Sequence, residues 1–229
     1  MGSERYGRVG FRIRESFPRP DPALLKRLEP FGSPALSDGM EKFNTMDPGI
    51  KPVDPNCRIL GPAVTLRLRP GDNLMLHKSL GLVRQGDVLV VDTCGCTTNS
   101  ILGELLATAA FSAGLAGIVI DGGIRDIREL REKAFPVFAR FVTPAVGDKD
   151  GPGEINYPIC CGGVPVHPGD IIAGDENGVV VIPPADAEEI IGRASQKLAY
   201  EEKRMEAILQ GTIVNPKIDE QLRKKGVIK

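Results

Sequence analysis

Two segments carry the residue types best suited to chemistry: Gly103-Glu104-Leu105-Leu106 and Asp121-Gly122-Gly123-Ile124-Arg125-Asp126. Twenty residues separate Glu104 from Arg125. They read as one helix and one buried strand, a length that returns the chain to the same edge of a sheet. A carboxylate, a fixed guanidinium and a second carboxylate in one crevice suit a divalent metal and an oxyanion. Backbone N–H groups around Gly103 to Leu106, at the helix start, lack partners within the helix and favour a bound carboxylate. Gly103 allows close approach of backbone to a ligand. Gly122 and Gly123 are expected to form a tight turn that aims Arg125 and Asp126 inward. The same residues also fit a surface ion pair beside a Gly-rich turn, worth about 0–1 kcal/mol. Spacing alone leaves both readings open.

The elements around these residues alternate as β-α-β. After a turn at Gly86-Asp87, residues 88–91 form a continuous apolar run, as in strands buried on both faces. Residues 102–113 read as a helix stopped by Gly114, residues 116–120 as a second buried strand, 127–134 as a short charged helix and 136–139 as a third strand. Such units are right-handed with parallel strands. Glu104 and the Arg125-Asp126 pair then share the carboxyl edge of the sheet, where open α/β folds bind ligands.

Upstream, Asp21 and Pro22 start a short helix with Leu24, Leu25 and Leu28 on its apolar face. Residues 33–43 read as a second short helix and 48–55 as a turn-rich loop. A strand over 63–68 ends at Pro70-Gly71, and 73–82 reads as a helix with Asp72 as its cap. From Gly147 the texture becomes hairpins, with strands at 164–166, 171–173 and 179–182. Residues 184–210 form a long charged helix whose charges suit a solvated face or a subunit contact, and a polar tail follows. With no repeat and no linker, a single domain over 1–229 is expected: a core over about 31–183 and a C-terminal helical extension over about 184–229.

The composition agrees. The chain has 229 residues, 41% of them hydrophobic, enough for a substantial core. A net charge of −1 gives no general attraction to nucleic acid or acidic membranes. No apolar stretch reaches the length of a membrane span, and residues 1–15 lack a signal-peptide core. Met1-Gly2-Ser3 resembles a myristoylation start, but Tyr6 stands where Ser or Thr is needed. A cytoplasmic location is the expectation. The five cysteines, Cys57, Cys94, Cys96, Cys160 and Cys161, do not have zinc-ribbon spacing and read as small buried or loop thiols. His77 and His167 sit in no metal-ligand pattern, Lys78 reads as solvated, and Asn73 reads as a cap or turn former, with reach into the site as the alternative.

The chain resembles the RraA-like family, which includes 4-hydroxy-4-methyl-2-oxoglutarate / 4-carboxy-4-hydroxy-2-oxoadipate aldolase. The segments that carry this are Gly61-Pro-Ala-Val-Thr65, Pro70-Gly-Asp-Asn73, Gly86-Asp-Val-Leu-Val-Val91, Gly103-Glu-Leu-Leu-Ala-Thr108, Asp121-Gly-Gly-Ile-Arg-Asp126, Phe135-Pro-Val137 and Pro168-Gly-Asp170. Their order and spacing together are specific, and they run from about Phe31 to the C-terminus. The resemblance implies an α/β fold of the swivelling β/β/α type, with trimers or hexamers (dimers of trimers) and a site between subunits. It implies Mg²⁺ or Mn²⁺ on Asp126, with waters filling most other positions. Arg125 would bind the substrate's 2-oxo oxygen and the pyruvate enolate. Glu104 would hold the water that serves as acid or base, and the N–H groups of Glu104, Leu105 and Leu106 would take the pyruvyl carboxylate. Many members have Asp where this chain has Glu104, a longer arm of the same charge. Asp38, where the family often has Glu, and Glu201 are the matches for carboxylates from a neighbouring subunit.

The activity implied is a metal-dependent carbon–carbon lyase. It cleaves a 4-hydroxy-2-oxo diacid to pyruvate and a second oxo acid, and decarboxylates oxaloacetate as a side activity. The family's namesake offers an alternative, regulation of a ribonuclease by protein contact. That kind is usually shorter and lacks the long helical extension. A methyltransferase reading ranks last, since no Gly-rich adenosylmethionine loop of the expected form is present.

Overall fold

The computed structural model describes residues 5–229; the Met1-Gly2-Ser3 start lies outside the described residues. A hairpin of β1 (Arg5–Tyr6) and β2 (Ile13–Arg14) leads into α1 (Pro22–Leu28) and α2 (Ser33–Gly39). Asp21 caps α1 by accepting from the N–H of Ala23. Then follow β3 (Lys51–Pro52), β4 (Ile59–Leu68), α3 (Leu74–Ser79), β5 (Val88–Asp92), β6 (Ser100–Leu102), α4 (Glu104–Ser112), β7 (Gly117–Ile124), α5 (Ile127–Glu132) and β8 (Val137–Val142). The last third holds β9 (Gly153–Ile155), β10 (Ile159–Cys161), β11 (Val164–Val166), β12 (Ile171–Asp175), β13 (Gly178–Ile182), α6 (Ala187–Leu209) and α7 (Pro216–Lys224).

Strands β4, β5, β7 and β8 lie side by side and parallel, flanked by antiparallel β9 and β3, and the sheet continues beyond β9 through β2 to β1. The apolar runs explain this layer. Alternate residues of β5 face opposite sides: Leu89 and Val91 join the core beneath α3, α4 and α5, while Val88 and Val90 join the core beneath β10–β13. Ile118 and Ile120 of β7 follow the first pattern and Val119 the second. Each such buried side chain contributes roughly 1.5–3 kcal/mol. A third core lies on the outer side of the β12–β13 hairpin, where Ile171, Val180 and Ile182 meet Leu28, Leu36 and Ile190 from α1, α2 and α6. The result is a mixed α/β fold with helices outside, two β layers inside, as the family resemblance implies.

The structure corrects several sequence expectations. Gly122 and Gly123 are not a turn but the last part of β7, across a register shift between Ile120 and Gly123. Their role is close approach: a Cβ at Gly122 would lie 2.7 Å from Cγ2 of Thr93, and one at Gly123 2.7 Å from the carbonyl oxygen of Asn99. Leu102 ends a short strand and does not begin the helix. Strand β4 starts earlier than 63 because its first residues pair with β12. The tail beyond Gly211 holds α7, capped by Asn215, whose side chain accepts from the N–H of Lys217. Among the described residues, no helix is long and apolar enough to cross a membrane.

Candidate active site

Strand β6 brings the two chemical segments together. It runs parallel to the end of β7, with Leu102 beside Ile124, and the N–H of Arg125 donates to the carbonyl of Leu102 at 3.0 Å. Gly103 therefore faces the Arg125-Asp126 step. A Cβ at Gly103 would overlap Oδ2 of Asp126 and lie 3.0 Å from Nε of Arg125, so any other residue here must displace the Asp126 carboxylate. Asp126 adopts a left-handed backbone, φ 56° and ψ 42°. Most residues pay of order 1–3 kcal/mol there, while Asp and Asn tolerate it better.

That backbone turns the Asp126 carboxylate away from its own helix. It makes no cap bond to α5. Instead Oδ2 accepts the N–H of Glu104 at 2.9 Å and lies 3.6 Å from Nε of Arg125. Asp126 thus caps α4 from a neighbouring loop, and the N–H groups of Leu105 and Leu106 remain as first-turn donors. The Glu104 N–H is committed to Asp126 and is not open to a ligand, unlike the expectation for it.

A cavity of about 100 Å³ opens here, walled by Gly103, Leu105, Leu106, Arg125 and Asp126. Asn73 and His77 also line it. Asn73 is 4% exposed, and its Nδ2 donates to the carbonyl of Ile101 at 3.1 Å. Its Oδ1 is buried with no partner among the described residues. Asn73 occupies the cap position of α3 without a capping bond; Asp72 does that work, accepting the N–H of Leu74 at 2.9 Å. The expectation of a capping Asn73 is corrected on this point. Burial, and then the charge of Lys149, hold the His77 imidazole below its ordinary value, which favours the neutral ring.

The Asp126 carboxylate on this wall is an oxygen donor of the kind a hard divalent cation takes. Asp126 offers a carboxylate that is about one-third exposed, and among the described residues the buried Asn73 oxygen, on a residue that also lines the cavity, has no hydrogen-bond partner. Among the described residues, no group of three or more His, Cys, Asp or Glu would enclose a metal. A cation here would rest on Asp126, with water or a second chain supplying the rest. The cysteines lie in other settings: Cys94 and Cys160 are exposed, and burial raises the thiol of Cys57 to about 11 and that of Cys161 well above its usual range.

The remaining sequence candidates sit elsewhere. The Glu104 side chain points to Lys133, with Oε1 3.3 Å from Nζ, and does not line the cavity. Asp38 on α2 and Glu201 on α6 share one lysine, Lys197, at 3.0 and 3.3 Å. Neither lines the cavity of its own chain. His77, set aside for want of a metal-ligand pattern, and Lys149, singled out by no motif, reach the cavity through long-range contacts. For Asn73 a signal existed, its position in the Pro70-Gly-Asp-Asn73 segment.

Comparison with known proteins follows the same residues. A model described as RraA-like, Aldolase/RraA, matches residues 33–181. A Halalkalibacterium halodurans protein provisionally named 4-hydroxy-4-methyl-2-oxoglutarate aldolase is 42% identical over 173 residues, 76% of this chain and 82% of that protein. The 4-hydroxy-4-methyl-2-oxoglutarate aldolase of Thermus thermophilus is 35% identical over 148 residues, 65% of this chain and 90% of its own. Streptomyces coelicolor RraAS2, described as an unusual member of the RNase ES inhibitor RraA protein family, superposes with a TM-score of 0.74 at 31% identity, covering 82% of this chain and all of that one. The matched span contains every residue of the cavity wall described above, and the chain belongs to the RraA-like (Aldolase/RraA) family.

Proposed function

We propose that the protein is a divalent-metal-dependent pyruvate aldolase that cleaves a 4-hydroxy-2-oxo diacid, in the class of 4-hydroxy-4-methyl-2-oxoglutarate or 4-carboxy-4-hydroxy-2-oxoadipate, and decarboxylates oxaloacetate as a side reaction. The observation that carries this reading is the convergence of Arg125, Asp126 and the start of α4 on one cavity, locked by the Glu104 N–H to Asp126 bond.

The substrate's pyruvyl carboxylate rests on the N–H groups of Leu105 and Leu106. The Arg125 guanidinium donates to the 2-oxo oxygen. Loss of the proton from the 4-hydroxyl breaks the C3–C4 bond and sends its electron pair into the pyruvate enolate, whose oxygen Arg125 stabilises. Protonation at C3 then gives pyruvate, and the second oxo acid leaves. In oxaloacetate the same bond breaks to release CO₂ and the same enolate. Mg²⁺ or Mn²⁺, held by Asp126, would supply Lewis-acid polarisation of that oxygen. Glu104 is assigned the water that carries the proton; swinging its carboxylate from Lys133 is the motion this requires.

Assembly as a trimer or hexamer completes the account. The cavity holds a single carboxylate, and the second half of α6 contributes no buried residue to the core and leaves Leu198, Tyr200, Met205 and Leu209 exposed. Asp38 and Glu201, paired through Lys197, are the carboxylates assigned to the neighbouring subunit's cavity.

A pyruvate-release assay with oxaloacetate and 4-hydroxy-4-methyl-2-oxoglutarate tests the reading, with and without EDTA. The likeness to RraAS2 favours a second reading, regulation of a ribonuclease by contact. That reading predicts ribonuclease inhibition at stoichiometric protein with no pyruvate from either substrate.

A further inference from the structure

We propose that Lys149 is the specificity-determining residue of this site, binding the second carboxylate of the substrate. The proposal rests on the aldolase reading above and adds to it the residue that selects diacids.

Lys149 lines the same cavity as Arg125 and Asp126. The loop that carries it is clamped. The N–H of Gly147 donates to Ser100 at 3.0 Å and that of Asp148 to Gly71 at 2.7 Å. The N–H groups of Asp150 and Gly151 both donate to Oδ2 of the fully buried Asp72 at 2.8 Å. The carbonyl of Asp148 in turn accepts the N–H of Asn73 at 2.9 Å, which ties the loop to the cavity wall. Lys149 therefore has a fixed backbone on both sides and a free side chain.

Its charge is also free. Arg69 faces both nearby acids, at 3.2 Å from Asp72 and 3.7 Å from Asp148. Among the described residues, no carboxylate lies within ion-pair distance of Lys149, whereas Arg125 faces Asp126 and Lys133 faces Glu104. His77, beside it, is held toward neutrality and adds no second cation. Burial orders the cavity: Asn73 lies at its floor, Arg125 and Asp126 are half-buried, and Lys149 stands exposed at the rim. A substrate whose pyruvyl half lies against Arg125 and the start of α4 extends its C4 substituent toward that rim. A cation with a fixed base, a long arm and no internal partner is placed to receive a carboxylate there, partly desolvated by the substrate itself.

The test compares two substrates on the assembled protein. One is 4-hydroxy-4-methyl-2-oxoglutarate, with a carboxylate on C4. The other is 4-hydroxy-4-methyl-2-oxopentanoate, with a methyl in its place, which cleaves to pyruvate and acetone. The ratio of kcat/KM for the diacid to that for the monoacid should fall roughly 10–100-fold in Lys149→Gln, mainly through KM, and recover in part in Lys149→Arg. An unchanged ratio, whether both substrates lose equally or neither does, would overturn the assignment. Pyruvate methyl-proton exchange in D₂O separates the levels. Exchange by the wild type with an unchanged ratio removes only the Lys149 role; no exchange and no cleavage by the wild type removes the aldolase reading and the proposal with it.

Discussion

The backbone N–H of Glu104 donates to Oδ2 of Asp126 at 2.9 Å, so one carboxylate both caps a helix and fronts the cavity. This bond ties the loop after β7 to the start of α4. It also fixes which donors remain for a ligand, because the first N–H of the helix is already used.

Asp126→Asn and Asp126→Ala should therefore separate. Asn keeps an oxygen for the Glu104 N–H and tolerates the left-handed backbone, so its stability should stay within about 0.5 kcal/mol of wild type. Its turnover should fall at least ~10²-fold, because a neutral amide holds a divalent cation poorly. Ala loses the cap as well, at about 1 kcal/mol. Urea denaturation beside a pyruvate assay checks both. An Asn variant with near wild-type turnover would remove Asp126 as the metal ligand.

Gly103→Ala tests the close approach. The added Cβ overlaps the Asp126 carboxylate and crowds Nε of Arg125. We expect a stability loss of about 1–3 kcal/mol from the forced shift, with loss of activity well beyond that of a distant variant of equal stability. Full activity in the Ala variant would mean that the two segments are not held as described.

Arg125→Lys should not rescue function. Lysine keeps the charge and loses the planar fork. Turnover should drop by ~10²–10³ for both aldol cleavage and decarboxylation, which share an enolate. A change confined to KM would make Arg125 a substrate clamp.

The N-terminal strap should confer acid sensitivity. Arg12 bonds both oxygens of Glu154 at 2.6 and 2.7 Å and, against the opposing effect of burial, holds that carboxyl below its ordinary value of 4.5. A lowered folded value means that the stabilisation is present above about pH 4.5 and is lost as pH falls through the lower folded value. Glu154→Gln should cost ~1–3 kcal/mol at pH 7 and show a smaller further loss than wild type as pH falls from about 4.5 through the lowered folded value. Equal acid sensitivity in both proteins would assign the effect to other groups.

Much of this arrangement was legible in the residues. The buried runs of β5 and β7 announced parallel strands, and the twenty-residue spacing placed Glu104 at the same edge as Arg125 and Asp126. Asp21-Pro22 announced α1, and Asp72 announced the cap of α3. What escaped depends on partners distant in sequence. Strand β6 has three residues and exists because β7 continues through Gly122 and Gly123 to meet it. The Glu104 side chain follows Lys133, at the far end of α5. Lys149 reaches the cavity through bonds to Gly71, Asp72 and Asn73, which no local pattern records.

The most direct test of the central claim is metal-stripped enzyme. After exhaustive dialysis against EDTA, wild-type protein should release no pyruvate from 4-hydroxy-4-methyl-2-oxoglutarate, and added Mg²⁺ or Mn²⁺ should restore release, while Asp126→Asn should stay inactive under both conditions. Full turnover in excess EDTA, or equal restoration in Asp126→Asn, would contradict a divalent cation held by Asp126 at the start of α4.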